Sequence, residues 1–110
     1  MIVTIEDFQK LDMRVGRIVE VRDLPEARKP SFRLTIDFGP LGTRQSVAAA
    51  KTDYTRDQIL NRQVVCVFNL PVRRVAGVSS EVLVLAATEA DGTLRLLGPD
   101  PDAELGSHIT

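Results

Sequence analysis

The 110-residue sequence has no tryptophan, one tyrosine, one cysteine and one histidine. One cysteine excludes an internal disulfide, and one Cys plus one His excludes an ordinary zinc cage built within a single chain. Four phenylalanines and Tyr54 are the only aromatic residues. Phe8, Phe32, Phe38 and Phe68 all fall in apolar patterns, so only Tyr54 is expected to reach outward. Binders of single-stranded nucleic acid stack bases on exposed rings, and this chain is poorly furnished for that. No window approaches the ~20 apolar residues of a membrane span, and the N-terminus lacks the basic-then-apolar order of a secretion signal. These absences predict a soluble, cytoplasmic chain with no membrane insertion. There is no phosphate-cradling Gly-rich loop, and no nucleophile is organised beside His108, which reads as a tail residue. Cys66 lies among Val65, Val67 and Phe68 and reads as an inert core residue. No catalytic residue, metal site or cofactor is predicted.

What is present fits one domain over residues 1–110. Apolar residues make up 44% and charged residues 26%, enough for a real core. The net charge of −1 hides an uneven distribution. Residues 1–80 carry 13 basic and 9 acidic side chains, whereas residues 81–110 carry 1 and 6. A basic surface is therefore available to a partner that the overall charge does not suggest.

Thr4-Ile5-Glu6-Asp7 reads as a capped helix start with Ile5, Phe8 and Leu11 on one stripe. From Asp12 the period becomes that of a strand, with Val15, Val19 and Val21 on one face and a bulge or sharp coil at Gly16. Residues 25–30 form a loop. Phe32, Leu34, Ile36 and Phe38 then alternate with Arg33, Thr35 and Asp37 as a second strand. Gly39-Pro40-Leu41-Gly42 is a turn, and 43–49 return as a third strand. A short helix capped by Thr55 comes next, then the apolar run 64–68 as a fourth strand. A loop over 71–79 leads to a final hairpin around Asp91-Gly92. A helix between the third and fourth of five strands is the order of an OB-fold, a small Greek-key barrel. The expected class is thus an all-β, five-stranded OB barrel with a short N-terminal helix. A different five-stranded barrel is the alternative.

OB barrels bind on the face of strands 2 and 3, between the loops after strands 1 and 4. Here those loops hold Arg28-Lys29 and Arg73-Arg74. Strand 3 adds Arg44, Gln45 and Ser46, with Lys51 just beyond. Lys and Arg at such positions suit phosphates, because neutralising them releases condensed counterions. With few free rings, contacts to the backbone and shape of a folded RNA fit best. Either basic pair taken alone reads as a solvated loop charge; the set together points to function.

Several separate segments carry a family resemblance: Asp12-Met13-Arg14-Val15-Gly16-Arg17-Ile18, Pro25-Glu26-Ala27-Arg28-Lys29-Pro30, Asp37-Phe38-Gly39, Gln45-Ser46, Val67-Phe68-Asn69-Leu70, Arg73-Arg74-Val75-Ala76-Gly77 and Ser80-Glu81-Val82-Leu83-Val84-Leu85. In this order they resemble the bacterial CsaA family, relatives of the tRNA-binding domain found at methionyl-tRNA synthetase C-termini. The resemblance implies a homodimeric OB-fold that binds tRNA, and an export-related chaperone activity towards peptides and unfolded proteins. It also implies RNA contact at a Ser-Glu-Gly-Met segment. Ser80 and Glu81 match this segment, while Val82 and Leu83 replace its Gly and Met. On this reading Arg28, Lys29, Arg44, Lys51, Arg73 and Arg74 hold phosphates. Gln45, Ser46, Asn69 and Ser80 supply neutral hydrogen bonds, and Glu81 orients a neighbouring arginine. The termini, with Ile2, Val3, Ile5, Phe8, Leu105 and Ile109, would pair two copies. The apolar run Val47-Ala48-Ala49-Ala50 favours the second reading, a chaperone holding exported or unfolded polypeptides in an apolar groove.

Overall fold

The computed structural model describes residues 1–110. Its elements in chain order are α1 (Ile5–Gln9), β1 (Met13–Asp23), β2 (Phe32–Asp37), β3 (Thr43–Ala48), α2 (Arg56–Ile59), β4 (Gln63–Val67), β5 (Arg73–Val75), β6 (Val78–Ser80), β7 (Leu83–Val84), β8 (Ala86–Thr88) and β9 (Leu94–Leu96). Five strands form an antiparallel sheet in the order β3-β2-β1-β4-β7, curled into a nearly closed barrel of the OB type. The strict alternation of β2 sets its inside. Phe32, Leu34 and Ile36 are buried, and Phe38 follows them into a core shared with Ile18, Val21, Ile59, Val64, Cys66 and Val82. Each such side chain contributes roughly 1.5–3 kcal/mol by leaving water. Burial pushes the Cys66 thiol up to about 12, so it stays protonated and unreactive near neutral pH.

β1 departs from the simple alternation. Its pairing with β2 slips between Ile18 and Glu20, leaving Val19 as the extra residue of a bulge. Ile18 and Val21 are buried, while Val19 is 42% exposed rather than sharing a face with Val15 and Val21. Gly16 serves a different purpose, close approach. A Cβ there would stand 2.5 Å from Ile36 Cγ2 and 2.7 Å from Phe38 Cε1. Gly16→Ala is expected to destabilise the fold by about 1–3 kcal/mol through overpacking, measured as a lower urea midpoint with unchanged slope.

The segment expected as a loop over 71–79 is mostly a hairpin, β5–β6, closed by Ala76 and Gly77 with φ of 49° and 83°. Two consecutive positive φ values are the signature of a twisted two-residue turn, which glycine at the second position eases. The final hairpin, β8–β9, forms as expected. Asp91 Oδ1 accepts from the Thr93 amide at 2.9 Å in its turn. The C-terminal segment is no free tail. Val15 donates to the Ser107 carbonyl, Gly106 to the Val15 carbonyl and Ile109 to the Met13 carbonyl, laying residues 106–109 along β1. His108 thus has a fixed backbone beside Arg14.

α1 is capped as its sequence predicts. Thr4 Oγ1 accepts from the Asp7 amide at 3.1 Å, and Asp7 Oδ2 accepts from the Thr4 amide at 3.2 Å. Those bonds hold the Asp7 carboxyl below the usual carboxylate range, helped by Lys10. Yet α1 buries no residue: Ile5 is 64% exposed, and Leu11, just past its end, is 39% exposed. With Phe8 and Ile109 they line an apolar hollow of about 250 Å³ at the end of the barrel.

Candidate nucleic-acid interface

Three pieces of chain meet beside β3. The loop after β1 brings Arg28 and Lys29, the β5–β6 hairpin brings Arg73 and Arg74, and β3 itself brings Val47 with Ala49 just beyond. Together they line one open groove of about 570 Å³. All four cations are exposed. Arg74 Nη1 donates to Ser79 Oγ at 3.1 Å, and none of the four is committed to a carboxylate. The floor is apolar: Ala27, Val47, Ala49, Val75 and Ala76. One acid, Glu26, sits on the rim. Clustered cations without carboxylate partners repel one another, and this charge is best relieved by a polyanion.

The groove keeps its shape because side chains replace a missing strand partner at the outer edge of β3. Glu81 Oε1 accepts from the Gln45 amide at 2.8 Å, and the Glu81 amide donates back to the Gln45 carbonyl at 2.8 Å. Ser80 Oγ accepts from the Val47 amide at 3.2 Å. Inside the barrel, Ser46 Oγ donates to the Val82 carbonyl at 2.7 Å. This clasp hangs the arginine-bearing hairpin on β3. It also answers why polar residues sit here: an unpaired buried backbone group costs about 1–3 kcal/mol.

The remaining expected contacts divide differently from the sequence reading. Ser46 and Ser80 are buried, so their hydroxyls fasten the barrel instead of facing a ligand. Glu81 binds backbone amide rather than orienting an arginine, and Gln45 accepts from Arg33 Nη2 at 3.1 Å. Asn69 Oδ1 accepts from the Asp12 amide at 2.8 Å and its Nδ2 donates to the Lys10 carbonyl at 2.7 Å, tying α1 to the end of β4. Arg44 lies on the inward side of β3, the side of Ser46. Its guanidinium stacks over Phe68 at 4.8 Å and donates to the Leu41 and Thr43 carbonyls. Phe68 in turn meets Phe38 edge to face at 5.0 Å. Lys51 lines the hollow next to the groove, with Arg28, and pairs with Asp23 at 3.0 Å. Tyr54 is not free to reach outward: its hydroxyl accepts from the Leu96 amide at 3.0 Å and Arg62 covers its ring. Of the predicted cations, the groove therefore unites four. Arg33, directly opposite Val47 in the β2–β3 ladder, gives no sequence signal of this, because it reads as an ordinary solvent-facing member of an alternating strand.

Comparison with known proteins agrees with this architecture. Residues 13–108 match the family model described as "Putative tRNA binding domain". The chain belongs to this family. It is 42% identical to a methionine–tRNA ligase of Thermococcus onnurineus over 107 residues, which is 97% of the chain but 14% of the ligase. Among solved structures, a chaperone CsaA from Bacillus anthracis is 40% identical, with a TM-score of 0.94 and full coverage of both chains. A CsaA chaperone from Picrophilus torridus is 43% identical, with a TM-score of 0.91 over 99% of this chain and 100% of the other. The chain is a CsaA-type tRNA-binding domain. No helix in it is long and apolar enough to cross a membrane.

Proposed function

We propose that this chain is a non-catalytic protein that binds folded tRNA as a homodimer in the cytoplasm, holding RNA phosphates with Arg28, Lys29, Arg73 and Arg74. The observation that carries this reading is the meeting of those four side chains, from two loops remote in sequence, on one groove. Membership of the tRNA-binding domain family supports the choice of polyanion. The absence of stacking rings from the groove lining favours backbone and shape recognition over reading of unpaired bases. Support for a non-catalytic role comes from the ligase match, which covers only 14% of the enzyme. Support for the dimer comes from the uncovered stripe of Ile5, Phe8 and Leu11 beside Ile109, which one chain alone leaves in water.

The clasp residues serve this function by position. Glu81→Ala is expected to weaken tRNA binding about tenfold while leaving its salt dependence unchanged, because it loosens the hairpin without removing a phosphate contact. Fluorescence titration at several salt concentrations reads both quantities. A shallower salt slope for Glu81→Ala would contradict the positioning role.

A second reading, a chaperone for unfolded or exported polypeptides, draws on the apolar groove floor of Val47, Ala49 and Val75 and on the name of its structural neighbours. Competition between tRNA and an apolar peptide, on one preparation at low and high salt, separates the two. Phosphate-led binding fades as salt rises, whereas apolar burial persists. Peptide binding that survives high salt, with no measurable tRNA binding at low salt, would favour the chaperone and overturn the RNA reading.

A further inference from the structure

The outer face of the sheet next to the groove carries an arrangement that stability alone does not favour. In the β1–β2 ladder Arg22 stands directly opposite Arg33, and in the β2–β3 ladder Arg33 stands opposite Val47, which lines the groove. Directly opposed residues in antiparallel strands have Cβ atoms roughly 4.5–5.5 Å apart, and like charges there repel. The three residues therefore form one row across the strands, running from the groove to Arg22 over about 10 Å.

The next row on the same face is Glu20, Thr35 and Gln45. Glu20 Oε2 accepts from Arg22 Nη2 at 3.2 Å, and its Oε1 accepts from Thr35 Oγ1 at 3.2 Å. Arg22 foremost, then Thr35, hold the Glu20 carboxyl below the usual carboxylate range. Arg33 is half-buried and forms no ion pair, its one side-chain bond going to the neutral Gln45 Oε1. These two rows thus hold two cations against one carboxylate, which is engaged with Arg22, while Glu81, just beyond Gln45, is engaged with the Gln45 amide. The Arg22–Glu20 pair is solvent-exposed and so contributes little to stability. Arg22 is consequently available to a better anion.

We infer that Arg33 and Arg22 form a phosphodiester subsite on the sheet face, so that an RNA backbone leaving the cationic groove crosses Val47 and is held a second time. The inference rests on the groove reading for the direction of the strand, but it concerns different side chains. A guanidinium is suited to the task because its fork of donors grips a phosphate in two places. Glu20 works against this subsite, which makes the effect of removing it opposite in sign to that of removing the arginines.

The test is titration of bulk tRNA across salt concentrations with Arg33→Gln, Arg22→Gln/Arg33→Gln, Glu20→Gln and Arg73→Gln/Arg74→Gln. The Arg22/Arg33 double variant should lower affinity roughly 25- to 60-fold at 0.1 M salt and reduce the log–log salt slope by about 1.4–1.8, two phosphate contacts' worth. Arg33→Gln alone should give about half of that slope change. Glu20→Gln should tighten binding several-fold, a gain that unfolding cannot produce. A wild-type slope for the Arg22/Arg33 variant, with the Arg73/Arg74 variant reduced, would overturn this subsite and leave the groove reading standing. A reduced slope for Arg22/Arg33 with an unchanged one for Arg73/Arg74 would support the subsite and remove the groove. Unchanged slopes for both pairs would overturn both. Should the Arg22/Arg33 variant melt early, Glu20→Gln decides: unchanged or weaker binding overturns the subsite.

Discussion

Replacing Arg28, Lys29, Arg73 and Arg74 together with glutamine is expected to lower tRNA affinity about 10³-fold at 0.1 M salt. Each phosphate neutralised contributes roughly 0.7–0.9 to the slope of log affinity against log salt, so the slope should flatten by about 3. Glutamine keeps a polar hydrogen-bonding group while removing the positive charge, and the salt slope reads that charge. The fold should tolerate the change, since all four groups are exposed and none forms an ion pair. If anything, relief of mutual repulsion raises the melting temperature. A quadruple variant that keeps the wild-type slope would show that the RNA lands elsewhere.

The second large effect concerns assembly. Ile5→Asp together with Phe8→Asp places two carboxylates on the uncovered stripe of α1 and its hollow. Burying an unpaired carboxylate in an apolar seam is strongly unfavourable, so the variant is expected to sediment as a monomer and the parent chain as the proposed dimer. Because neither residue is buried in the chain itself, the barrel should remain folded and its melting cooperative. The consequence for RNA follows from linkage of two sites. When two grooves engage one molecule, the second contact forms at high effective concentration, so loss of the dimer should weaken tRNA binding about 10²-fold. Retention of the dimer by this variant would move the interface away from α1.

Much of this architecture is legible in the residues. The 32–38 alternation, the capped start at Thr4 and the turn at Asp91-Gly92 each have a local cause, and each appears where its cause lies. Local reasoning fails where the cause is distant. Val19 faces solvent because of how β1 meets β2, which no property of β1 alone announces. The β5–β6 hairpin is only three residues per strand, too short for a periodic signal, although Ala76-Gly77 between valines is a turn cue that could have exposed it. The site shows the same division. The four cations that line the groove stand out in the sequence because charge is chemistry wherever it sits. Ser46 and Ser80, expected to bond the ligand, and Glu81, expected to orient an arginine, bond backbone groups instead, because a polar residue in a strand looks the same whether it faces a partner or fastens a neighbouring edge. Arg44 differs for a related reason: its guanidinium lies on the Phe68 ring and bonds the Leu41 and Thr43 carbonyls, contacts made with residues its own strand pattern does not announce.

On the proposed reading, one groove collects cations from separate loops to receive the phosphates of a folded RNA. Titrating the wild-type protein with tRNA between 50 and 200 mM monovalent salt tests it most directly. The predicted result is tight binding at the low end and a log–log slope of about −3 or steeper per protomer. Binding that ignores salt, or none at 50 mM, would contradict it.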